Sequence, residues 1–253
     1  MPTDPTRRHG GWIVLPLVLG LGGLLTSCSS GTAGTTPTTS PQAMMSLALA
    51  NATSAGWVHE TNRTTGSGHS VSMVNDIGTD QGRQVIDSDG AQATALVLSG
   101  MAYIQGDANA VSNFFQIPTP DPQKLAGQWI SIRPTDPSYA AVSASVTLQS
   151  DFQNFQKLFL GPFKAGAPTT VNGLRVVPIS GHVQGATAGS TVPATLFVAA
   201  SGKVLPVSFR ASNSQASITS QWTDWGQAVA LAAPTTSIPM SSIVGQSSGA
   251  TTT

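Results

Sequence analysis

The 253-residue chain has one cysteine (Cys28), one glutamate (Glu60), two tyrosines and four histidines. A lone cysteine excludes a structural disulfide within the chain. No two histidines stand at the spacing that places metal ligands on one helix face, and there is no second thiolate, so a zinc site is not expected. Charged residues make up only 9% of the chain, which leaves Ser, Thr, Gln and Asn to supply most of the exterior polarity. From Cys28 onward nine basic residues meet ten acidic ones, a net charge of −1, with no basic stripe. That distribution argues against nucleic acid as a partner. The apolar run at 12–25 has fourteen residues, including Pro16 and three glycines. A membrane-spanning helix needs about 20.

What is present begins at the N-terminus. Arg7 and Arg8 precede that short apolar run, and Leu25-Thr26-Ser27-Cys28 follows it. Basic start, short apolar core and small residues at the exit form the pattern of a secretory signal peptide over 1–27. The exit also resembles the bacterial lipobox. That resemblance implies transfer of a diacylglyceryl group to the Cys28 thiol and cleavage that makes Cys28 the first residue. The partner is then the membrane, reached through acylated Cys28, and the location is the extracytoplasmic face of the cell membrane. Two acyl chains, each methylene adding about 0.8 kcal/mol, hold where one is marginal. Residues 28–40 are a Ser/Thr/Gly-rich tether, with an r.m.s. reach of roughly 20 Å over twelve such residues. Residues 240–253 carry no charge and little apolar content, a composition that predicts a disordered tail.

Between these ends, 41–239 is long enough for one domain with its own core. Its pattern is mostly strands. "SVSMVNDI" (70–77) alternates, with Val71, Met73 and Ile77 on one face. Asp89-Gly90 is a dipeptide favoured in tight turns and joins two alternating runs, and Ser201-Gly202 folds another hairpin over 194–212. Nine to eleven antiparallel strands follow from this reading. Helices are fewer. Ser40-Pro41 reads as an N-cap with proline at the first helical position, and Gly56 marks the stop. Asp136-Pro137 opens a short second helix, and Ser150 with Gln153 forms a capping-box pattern for a third. Along this third stretch Leu148, Phe152, Phe155 and Phe159 recur at spacings of 4, 3 and 4 and make one aromatic face. Such a face either fills a core or lines an apolar cavity.

Chemistry-bearing constellations are few. His59 and Glu60 are adjacent, so on a strand they point to opposite faces. "DSDG" (87–90) begins like a calcium loop but lacks the glutamate that would complete it. Gly245-Gln246-Ser247-Ser248-Gly249 fits the hydrolase pattern G-x-S-x-G, but no predicted strand leads into it and no predicted helix follows, so the elbow that exposes the nucleophile is missing. No enzymatic activity and no cofactor are expected.

"SGMAYIQGD", "KLAGQWISI", "DPSYAAV", "VNGLRVVPI", "LFVAASGKVLPVSF" and "WTDWGQAVALAAP" follow one another in an order and spacing that resemble actinobacterial lipoproteins of the LolA-like superfamily, the LppX/LprG-type group. The resemblance spans roughly 44–234. It implies an α+β fold: a single curved antiparallel sheet, a half-open barrel, with a few helices on its concave face. The space between sheet and helices in that family takes up the acyl chains of a lipid or glycolipid. Carried onto this sequence, the inward-facing apolar candidates are Val71, Met73, Leu96, Leu98, Ile130, Ile132, Phe152, Phe155, Phe159, Leu196, Val207 and Phe209. The leading functional expectation is non-covalent lipid binding or carriage. The alternative is a structural or protein-binding envelope lipoprotein without lipid cargo.

Overall fold

Four Xaa-Gly pairs fold the chain back on itself. Ser67-Gly68, Asp89-Gly90, Ser99-Gly100 and Asn172-Gly173 have positive φ at both residues, the turn geometry whose twist matches that of the paired strands. They join β1 (Trp57–Gly66) to β2 (His69–Gly78), β3 (Gly82–Ser88) to β4 (Ala91–Leu98), β4 to β5 (Met101–Gly106), and β8 (Thr169–Val171) to β9 (Leu174–Gln184). The computed structural model describes residues 39–185 and 189–247. The predicted signal peptide (1–27), Cys28, the tether up to residue 38 and the last six residues lie outside them.

The other strands are β6 (Ile130–Ile132), β7 (Leu160–Ala165), β10 (Thr191–Ala199), β11 (Pro206–Ser212), β12 (Ala216–Thr223) and β13 (Ile238–Pro239). Among the described residues all thirteen belong to one sheet in the order β13-β6-β5-β4-β3-β2-β1-β12-β11-β10-β9-β7, with β8 also on β9. Every pairing is antiparallel except β13 with β6. The two ends of this order do not pair, so the curved sheet stays unclosed, as the α+β, half-open reading expects. The strands beyond the predicted number are short or irregular edge pieces, β7, β8 and β13. Periodicity over two to six residues is too brief to announce them.

Five α-helices complete the described residues: α1 (Pro41–Thr53), α2 (Pro122–Leu125), α3 (Tyr139–Ala144), α4 (Leu148–Leu158) and α5 (Met240–Ser247). A π-helical turn occupies Ala110–Phe114. Ser40 caps α1 as expected, its hydroxyl accepting from the Ala43 N–H at 3.1 Å. The predicted start of α4 is corrected by three residues: Thr147, not Ser150, stands at the cap. The tail is corrected too. Met240 and Ile243, three residues apart on α5, are buried against the strands and helices at the β6 end of the sheet. This contact supplies what the bare composition lacks. Gly245 to Ser247 therefore end a helix, where a nucleophile elbow would need a strand-to-helix turn.

The helices cover one face of the sheet, and register identifies which residues that face carries. One row across the strands runs Val58, Ile77, Gly82, Val97. The α3–α4 connection crosses here, because a Cβ on Gly82 would collide with the Val146 carbonyl. Two apolar clusters flank the crossing. The first gathers Met45, Leu49, Phe152, Phe155 and Phe159 of the helical side against Ile179, Leu196, Phe209 and Trp222 of the sheet. The second gathers Ala95, Val97, Ile104, Ile130 and Ile132 beneath Val111, Leu125, Val146 and Met240.

Candidate ligand-binding face

The sequence candidates separate into three groups. Phe152, Phe155, Phe159, Leu196 and Phe209 lie in the first cluster and are buried. Phe155 meets Phe209 edge-on at 5.0 Å between ring centroids and Trp222 at 5.6 Å. Phe159 meets Phe209 at 5.5 Å, and Gly181 makes room for it, since a Cβ there would stand 2.7 Å from its ring. These aromatics fill the space beneath α4. Ile130 and Ile132 are closed into the second cluster in the same way.

Leu96, Leu98 and Val207 lie on the opposite face, which corrects their expected inward orientation. Ala95 and Val97 point under the helices, so Leu96 and Leu98 alternate outward. Leu96, 4% exposed, sits between Arg83 and Tyr103 on neighbouring strands. Four consecutive apolar residues, Ala95 to Leu98, give alternation no phase to read. Val207 is displaced by an irregularity: between Phe197 and Val198 the β11 partner jumps from Ser208 to Pro206. The inserted residue joins Val171, Val176 and Phe197 on the outer face, as a β-bulge dictates.

Val71 and Met73 form the third group. They share the helix-facing side with Asn75 and Ile77 along β2. The row through Met73 is Ser220, Asn62, Met73, Ile86, Ala93, and the next is Ile218, Thr64, Val71, Ser88, Ala91. Val71, Met73 and Ile86 are half-buried and belong to neither apolar cluster. The middle of the inner face therefore carries a half-exposed strip, Val71, Met73 and Ile86, beside Asn62 and Thr64 and outside both clusters of the described residues. Sequence reading found Val71 and Met73 but missed Ile86, though it lies on a predicted strand.

At its inner end the strip meets a polar row: Trp222, Glu60, Asn75, Gln84. All four are buried. Asn75 Nδ2 donates to Glu60 Oε2 at 2.8 Å, and Asn62 Nδ2 donates to Ser220 Oγ at 2.7 Å one row away. On α4, Asp151 lies on the helix face of Leu148, Phe152 and Phe155, within reach of the Glu60 charge. Burial raises the Glu60 carboxyl above its ordinary range, against hydrogen bonds from Asn75 and Ser220 and the charge of His59. Burial likewise holds Asp151 well above the usual carboxylate range, and the Glu60 charge pushes it further. Asp151 stands in the first turn of α4, where the helix dipole favours an anion; desolvation outweighs that preference. Asn75 Oδ1 and Trp222 Nε1 are buried without a hydrogen-bond partner among the described residues. No sequence pattern announced this site, because Asp151 and Glu60 are 91 positions apart.

Two depressions lie elsewhere. One of about 420 Å³ is bounded by Val85, Gln92, Gln105, Asp107 and the backbone of Gly90 and Gly127. It sits across the ends of β3–β5. A second, about 210 Å³, separates α1 from α4 between Leu49, Ala50, Phe152 and Gln156. Both have mixed polar and apolar walls and open to solvent.

No family model and no curated protein matches the chain. Solved structures do. The lipoprotein LppX of Mycobacterium tuberculosis is 17% identical and superposes with a TM-score of 0.51, over 75% of this chain and 97% of that one. LprF from Mycobacterium bovis is 14% identical, with a TM-score of 0.48 over 77% of this chain and 96% of that one. The unclosed sheet and its helices are thus the LolA-like fold of the LppX type.

Proposed function

We propose, proceeding from a fold shared with LppX, that this chain is an extracytoplasmic lipoprotein, anchored through acylated Cys28, that binds a lipid or glycolipid without covalent chemistry. The observation that carries the reading is the strip of Val71, Met73 and Ile86, apolar and half-exposed on the inner face of the sheet. A monomeric protein gains by covering such a surface, roughly 25 cal/mol for each Å² of apolar area removed from water. An acyl chain laid along β2 covers it. From Asn75 to Val71 the strand offers roughly 14 Å of run, at about 3.4 Å per residue. The tether predicted between Cys28 and α1 gives this face freedom to approach the bilayer.

A second reading has its own observation. The aromatic packing of Phe155, Phe159, Phe209 and Trp222 occupies the space that a deep acyl chamber would need, which favours a protein-binding envelope lipoprotein with a filled core. Mass spectrometry of the full chain carrying Cys28→Ala, purified without detergent from its own host, separates the two. A co-purifying lipid that organic solvent extracts is the expected result; a ligand-free protein that takes up no added lipid contradicts lipid binding. The same variant tests the anchor: it should leave the membrane fraction, and persistent membrane association would overturn the lipobox reading.

A further inference from the structure

The polar row at the inner end of the strip and the helix above it each hold a carboxylate that has no basic partner among the described residues. Glu60 is 6% exposed, and Asp151, half-buried on the face of α4 that carries Leu148, Phe152 and Phe155, lies within reach of its charge. Among the described residues, the ion pairs formed by lysine and arginine involve Asp76, Asp121 and Asp136, and neither of these two carboxylates. His59, the titratable group whose charge acts on Glu60, pairs at 2.9 Å with Asp76 on the outer face. Buried carboxylates are stable when paired, hydrogen-bonded or neutralised. A second, independent feature marks the same place. Asn75 is 3% exposed, its Nδ2 is committed to Glu60, and its Oδ1 accepts from none of the described residues. The site therefore offers three acceptors on neighbouring elements: Glu60 and Asn75 Oδ1 side by side on the sheet, and Asp151 on α4.

We infer that this constellation receives the ammonium head of an aliphatic amine whose alkyl chain lies on the Met73–Ile86 strip. The inference rests on the lipid-binding reading and names the head-group chemistry of that site. A primary ammonium has three N–H donors, one for each acceptor. Its positive charge replaces the missing countercharge. The Trp222 ring, across the ladder from Glu60 and 6.0 Å from Phe152, supplies an aromatic wall that attracts a cation. The amine of an aminolipid and the side chain of a lipidated lysine share this chemistry. An alkyl alcohol meets the acceptors with a single donor and no charge. A fatty acid brings a third carboxylate into the cluster.

The test is calorimetric titration of the full chain carrying Cys28→Ala with dodecylamine, dodecanol and dodecanoate at about pH 6 and about pH 8, where the amine stays protonated. Dodecylamine is expected to bind about tenfold or more tightly than dodecanol, and dodecanoate most weakly. The preference should grow with pH, as the carboxylates give up the proton that competes with the ligand. Asp151→Asn and Glu60→Gln should each erase most of the amine's advantage while leaving dodecanol binding unchanged. Equal binding of amine and alcohol, or an advantage that survives both variants, would overturn the inference and leave the lipid reading standing, the pair then holding only a proton. Failure of all three ligands to bind would remove both.

Discussion

The two flanks of the inner face are built differently. Under α1 and α4 the cluster is aromatic, with Phe152, Phe155, Phe159, Phe209 and Trp222 in mutual ring contact. Toward β6 it is aliphatic: Ala95, Ala102, Ile104, Ile130 and Ile132 beneath short helical pieces. Large rings span the distance from a sheet to a three-turn helix. Alanines and isoleucines let the π-helical turn and α2 settle close to the strands. Between the flanks, around Val71, Met73 and Ile86, the described residues use neither solution, and the face stays half-exposed beside the Glu60 row. Packing is concentrated at the two sides.

This contrast can be broken by substitution. Phe155→Ala removes a ring that touches Phe159, Phe209 and Trp222 and should cost about 3–5 kcal/mol, measured by denaturant unfolding; a loss under about 1 kcal/mol would mean that α4 is not seated by its rings. On the aliphatic flank Ile104→Val deletes one methylene from a fully buried side chain and should cost only about 0.5–1.5 kcal/mol.

The middle should respond with the opposite sign. Glu60 and Asp151 are both held above their ordinary range by burial. A carboxyl whose folded value is raised contributes stability at low pH that is lost as pH rises through that folded value. Asp151→Asn should therefore raise the melting temperature at about pH 8, by about 2–4 °C for each kcal/mol relieved, and flatten its fall with pH. A variant less stable than the parent at that pH would contradict the burial argument. The smallest effect is expected on the strip. Met73→Asp, half-buried and outside both clusters, should change the unfolding free energy by about 0.5 kcal/mol or less while abolishing lipid uptake.

Local chemistry made much of this fold legible. Asp89-Gly90 announced its hairpin, and Ser40-Pro41 announced the start of α1, because turn and cap preferences act over three or four residues. The aromatic periodicity of α4 was equally plain, and the resemblance of the segment order gave the architecture. Facing was legible only where apolar and polar residues alternate. Val71 and Met73 alternate with serines and could be placed; Leu96 and Leu98, inside an unbroken apolar run, could not. Val207 failed for a different reason, since a bulge is a property of the strand pair. The acidic site and the ordered α5 depend on contacts between distant segments, which no window of sequence contains.

The most direct measurement of the central claim is photo-crosslinking with a diazirine-bearing fatty amine, followed by peptide mapping of the labelled full chain carrying Cys28→Ala. The account predicts label on β2 and β3, around Val71, Met73 and Ile86. Label on the outer face around Leu96 and Val207, or none above an unfolded control, would contradict it.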